Sequence, residues 1–150
     1  MTNESKMQRD VVDATSREIA KLDGERVQAE RDVAIASTVE RARAQVKLDQ
    51  VKIALTDAHR RLENQVDTIV QDADGQIAAL TAQAKTASGP ATQKLQAAAA
   101  QLKQRRDALA AKVGSLKQTA AGDWAARKTE LDVSLDELRT LRENAAAGIN

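Results

Sequence analysis

The chain reads as an all-α protein: a long antiparallel helical hairpin of the coiled-coil type, expected to associate into a helical bundle. Three observations predict this. Apolar residues recur in steps of three and four over most of the 150 residues, the spacing that lines one face of a helix. The composition holds 30 alanines, one tryptophan, no phenylalanine and no tyrosine, with the rest rich in Leu, Gln, Glu, Lys and Arg. Such residues favour helix, and they fill a thin seam between close-packed helices better than a three-dimensional core, for which aromatic side chains usually supply the volume. Finally, the only proline sits in Ser88-Gly89-Pro90, a sequence that ends one helix and opens the next.

These boundaries give a single elongated domain over 1–150, with a first arm at about 4–87, a turn at 88–90 and a second arm at about 91–147. A joint this short favours antiparallel neighbours. The first arm carries Leu48, Val51, Leu55, Ala58, Leu62, Val66, Ile69, Ala73, Ile77, Leu80, Ala84 and Ala87 on one stripe. Upstream the series continues less regularly through Val33, Ala36, Val39, Ala42 and Val46. The second arm carries Leu109, Val113, Leu116, Ala120, Trp124, Leu131, Leu135, Leu138 and Ile149. Ala58, Ile69 and Leu80 are 11 apart, as are Leu102, Val113, Trp124 and Leu135. An 11-residue period is close to that of a straight helix and predicts nearly straight rods. A second arm of 57 residues would make a rod of about 85 Å.

Charge supports the hairpin independently. Folding about Gly89 sets residue i opposite roughly 178 minus i. Lys94, Lys103, Arg105, Arg106, Lys112 and Lys117 then face a stretch holding Glu63, Asp67, Asp72 and Asp74. Complementary charge of this kind selects orientation more than it adds stability. The same register places Trp124 opposite Ala54. The first arm is longer, so residues 4–27 overhang with Met7, Val11, Val12, Ile19 and Leu22 uncovered. Gly24 is the expected break if this segment folds back; otherwise it would cover a second molecule. Trp124, on the 11-residue series, is expected to face the partner helix as a core residue, with an exposed anchor for a lipid or protein partner as the other reading; it and these five residues are the candidate interaction residues.

Chemistry has little to work with. His59 is the only histidine, flanked by Arg60 and Arg61, with no ligand set around it in sequence. Asp72, Asp74 and Gly75 suggest the start of a calcium loop, but the terminal position holds Gln83 where the pattern needs Glu. The basic clusters Lys103-Gln104-Arg105-Arg106 and Arg41-Ala42-Arg43 lack the aromatic platforms and the net basic charge of a nucleic-acid surface; the chain as a whole is only +1. No catalytic, cofactor or metal site is expected, and no nucleic-acid partner. Cysteine is absent, and Met1-Thr2-Asn3-Glu4-Ser5-Lys6 leads into a charged helix rather than a signal core, so the expected compartment is the cytoplasm.

Residues 101–142, from Gln101-Leu102-Lys103-Gln104-Arg105-Arg106-Asp107 through Gly122-Asp123-Trp124 to Asp136-Glu137-Leu138-Arg139, resemble small bacterial coiled-coil-domain proteins. That group has no assigned activity, so the resemblance implies architecture and no site residues. Leu80-Thr81-Ala82-Gln83-Ala84-Lys85-Thr86-Ala87 is similar to desiccation-protective repeats, although an intact Leu/Val seam is foreign to those. The expected function is non-enzymatic: a structural or interaction protein that self-associates as a homodimer or scaffolds a protein partner through its helix faces. The alternative is an amphipathic helical protein that binds a lipid surface or protects under stress. A narrow, alanine-diluted apolar face disfavours that membrane reading.

Overall fold

The computed structural model describes residues 3–149; the side chains of Lys117 and Ile149, members of the series above, lie outside what it describes. Among these residues the chain forms four α-helices and no strand: α1 (Asn3–Ile35), α2 (Thr38–Thr86), α3 (Pro90–Ser115) and α4 (Trp124–Ile149). A 3-10 turn, Leu116–Gln118, follows α3.

Side-chain pairs fix the directions. Arg61 of α2 clamps Glu18 of α1 with both guanidinium nitrogens at 2.7 and 2.9 Å, and Gln8 reaches Asp72. Arg106 of α3 holds Asp74 of α2 at 2.8 Å. Arg105 and Lys112 of α3 meet Glu137 and Glu130 of α4. Arg9 and Asp13 of α1 meet Asp132 and Lys128 of α4. For α1–α2, α3–α4 and α1–α4 the numbers rise on one side as they fall on the other, and the short turn at 87–89 reverses α3 against α2. Adjacent helices are therefore antiparallel, and α2 and α4, on the diagonal, run parallel. The result is an up-down-up-down bundle built by one chain, where the sequence led us to expect two associating hairpins.

The turn at Gly89 follows from its chemistry. Gly89 takes φ 67°, a conformation closed to most L-residues, and Pro90 opens α3 with its fixed φ and no amide hydrogen to satisfy. The Asp74–Arg106 pair lies within a turn of the expected register.

Both arms carry a further break. The first is interrupted at Ala36-Ser37 and not at Gly24, which lies inside α1 on its solvent side. Ser37 adopts extended geometry and its carbonyl accepts from Glu40 and Arg41, which starts α2. Gly24 weakens the helix locally by about 1 kcal/mol. Its neighbour Asp23 is held by the Gly122 amide from the far end of the chain and pairs with Arg26 one turn on, contacts that keep the helix whole. The second arm is not one long rod but two helices of about 39 Å each, parted by residues 116–123, where Gly122 has φ 88°. This joint breaks the hairpin register, so Trp124 meets Ser16 and His59 rather than Ala54.

The seam predicted for the middle of the chain is the core. Ala58, Leu62, Val66, Ala73, Leu80, Leu109, Leu131 and Leu138 are all fully enclosed, together with Val12 and Ile19 from α1. All seven residues of the two 11-residue series are buried. Ala120 is exposed in the joint, and the upstream series departs from the core: Val39 and Val46 point outward. Burial of each Leu contributes roughly 1.5–3 kcal/mol. The accessible surface, 9173 Å², exceeds the roughly 7,400 Å² expected of a compact monomer of this mass, as an extended bundle requires.

Candidate interaction surface

The bundle's four helices do not reach the same levels. α3 ends and α4 begins where Trp124 lies against Ser16 and His59, and where Gly122 lies against Asp23 and Val27. Past Val27 α1 and α2 continue alone to the Ala36-Ser37 turn, so that the hairpin projects about 30 Å beyond Trp124 and about 12 Å beyond the joint.

On the projection α2 buries Leu48, Val51 and Leu55 toward α1. Its opposite face shows Val39 (90% exposed), Val46 (56%) and Ile53 (64%), and Ile35 (82%) stands at the tip. Val39, Val46 and Ile53 are seven apart and so fall along one line of the helix. The next positions on that line, Arg60 and Asp67, are exposed and charged where the helix enters the four-helix body. Arg43, Lys47 and Asp49 border the apolar stretch.

The six candidate interaction residues are dispersed, and Trp124 takes the core placement its spacing predicts. Val12, Ile19 and Trp124 are buried inside the chain, and Leu22 is partly buried against the core. Met7 (67%) and Val11 (48%) are exposed and line a shallow groove with Gln65 and Thr68 of α2. Val39 and Val46 lie on the upstream apolar series of the sequence, and Ile53 on neither series; the spacing of seven that joins the three, against threes and fours in the seam, is the signal that sets this line apart.

The opposite end of the body has three helices, since α1 starts at the level of the Asp72 turn of α2. There Leu80, Leu95, Ala98, Leu141 and Ala145 line an open groove of about 410 Å³.

At the base of the projection, the Asp23 carboxylate, 7% exposed, accepts the Gly122 amide with both oxygens at 3.0 and 3.1 Å and pairs with Arg26 at 3.2 Å. Trp124 Nε1–H donates to the Ser16 carbonyl at 3.1 Å, and the His59 ring meets the indole edge-to-face at 5.5 Å. Burial, followed by the Arg26 charge, holds the His59 pKa below its ordinary value. On the surface, hydrogen bonding to Arg61 lowers the Glu18 pKa, and hydrogen bonding to Lys112 lowers that of Glu130. Among the described residues no group of three or more His, Cys, Asp or Glu could hold a metal ion, and no helix is long and apolar enough to cross a membrane.

Fold and surface together define an antiparallel four-helix bundle with a projecting helical hairpin. The chain matches no protein-family model, no curated protein and no solved structure.

Proposed function

We propose that this is a non-enzymatic interaction protein of the cytoplasm, which self-associates or scaffolds a protein partner through exposed helix faces. One observation carries the reading: the outward line of α2 is apolar at Val39, Val46 and Ile53, on the projection, and charged at Arg60 and Asp67, on the body. A purely solvated face has no reason to change character at the level where α3 and α4 stop. An apolar line that a partner covers has one, because association takes such exposed side chains out of water. The absence of cysteine suits a reducing compartment.

Sedimentation over a wide concentration range, together with mild crosslinking in the native cell, tests the proposal. Association is expected, and its loss on Val46→Glu with unchanged circular dichroism. A lipid-surface role has support in Arg43, Lys47 and Lys52 beside the same valines. It would be favoured by a chain that stays monomeric, gives no crosslinked partner and binds anionic vesicles through Val46.

A further inference from the structure

The chain's only histidine and its only tryptophan touch, and they do so at the corner where the projection meets the body. The corner is an unusual place. Residues 116–123 lack α-helix, Gly122 is in left-handed backbone, and the joint's amide is held by a buried carboxylate from α1. Several buried polar atoms there have no hydrogen-bond partner among the described residues: His59 Nδ1, Arg26 Nε, Ser16 Oγ and Thr119 Oγ1. Native interiors rarely leave such groups unpaired, so their clustering here calls for an explanation.

We propose that this corner is an acid-sensitive latch: protonation of His59 releases Trp124 and frees the 116–123 joint from the α1–α2 hairpin, while the helices themselves persist. The charged groups around the imidazole decide the direction. From α1 come Asp23 and Arg26, from α2 itself Arg60 and Glu63, and α4 offers only the indole of Trp124. Asp23 and Glu63 would welcome a proton on His59, but Asp23 is already committed to Gly122 and Arg26. Arg26 opposes the proton, and Nδ1 offers an enclosed site with no acceptor for it. A bare lone pair is tolerated there; a bare, charged N–H is much costlier.

The imidazolium is therefore better placed outside, in the open hollow lined by Thr56, Arg60 and Glu63. That movement removes one wall of the Trp124 site and opens to water an indole that otherwise rests on the core and the Ser16 carbonyl. The device is independent of what the projection binds. Its consequence is that Trp124, buried at neutral pH, becomes available surface in acid.

One probe and one titrating group make the test direct. Trp124 emission and iodide quenching are followed from about pH 8 to about pH 5, the range in which histidine changes charge, with far-ultraviolet circular dichroism alongside. Expected are a red shift and a several-fold rise in quenching, with a midpoint below 6.5 and unchanged helicity. His59→Gln should hold the neutral-pH spectrum throughout. Arg26→Gln, which removes the opposing cation, should move the midpoint to higher pH, and this variant decides the matter if His59→Gln does not fold. The proposal is overturned by a flat wild-type profile, by a fall in intensity without red shift or added quenching (an imidazolium accepted against the indole), by an unchanged transition in His59→Gln, by an unmoved midpoint in Arg26→Gln, or by loss of helicity in the same step.

Discussion

Two stretches of one helix, α2, live in different surroundings. From Leu62 to Leu80 it lies in the body, where α3 and α4, joined by α1 over most of this length, enclose its seam and the outward line is charged. From Val39 to Ile53 it has α1 alone, and it carries apolar residues on two faces at once, Leu48 and Val51 inward and Val46 and Ile53 outward. The share of apolar residues scarcely differs between the two stretches. What differs is how many helices reach each level, and that is set by the breaks at 36–37 and 116–123. Exposure in this molecule is thus decided by where helices end, and only then by which residues they contain.

Substitutions that close or widen this contrast should differ by an order of magnitude in effect. The largest belongs to Trp124→Ala. The indole is 2% exposed at the point where the body begins, and removing it leaves a cavity and an unfilled Ser16 carbonyl. A loss of about 3–5 kcal/mol is expected by chemical denaturation; a loss below about 1 kcal/mol would mean that the corner is already open in solution.

Asp23→Ala comes next. It strips the Gly122 amide of its acceptor and Arg26 of its partner, so about 1–3 kcal/mol is expected. Hydrogen exchange should show the loss concentrated in residues 116–123. Protection lost evenly across all four helices would contradict a local role. At the other end of the molecule, Gly89→Ala tests the turn in isolation: nothing stands within 4 Å of an added Cβ, so only the backbone at φ 67° resists. About 1–2 kcal/mol is expected, and an unchanged melting temperature would mean that the turn can relax into another conformation.

The pattern of what could be read from sequence follows the same physics. The seam was legible because burial between helices imposes a period, and Leu62, Leu80, Leu109 and Leu138 obey it. The turn was legible because Gly89-Pro90 has few conformations open to it. The break at 36–37 had a signal in Ser37-Thr38-Val39-Glu40, a helix-start pattern with an acid at the third helical position, but an unbroken apolar series from Val33 to Val46 masked it. Gly122-Asp123 before Trp124 was a comparable signal at the second break. Gly24 misled because a glycine on the solvent side of a long helix weakens it without ending it. The Asp23–Gly122 and Trp124–Ser16 contacts, 99 and 108 residues apart in the chain, depend on how three helices align, which no local pattern encodes.

The smallest effect on stability is expected at the projection's outward line, and there it is the most informative. Val46 and Ile53 are more than half exposed, so Val46→Ser with Ile53→Ser removes little that the folded chain buries. Both are β-branched, and serine has a similar helix propensity. The expected change is within about 0.5 kcal/mol for each site, and the two sites are two turns apart, so the effects should add. Measured on dilute protein, the double variant should melt with the parent. Measured on concentrated protein, the parent should gain melting temperature and the variant should not, since association stabilises by mass action. If the variant is destabilised equally at both concentrations, the valine line is held by something within the chain, and the contrast between projection and body disappears. If parent and variant stay together at both, the line takes no part in self-association, and its partner must be sought among other proteins or at a lipid surface.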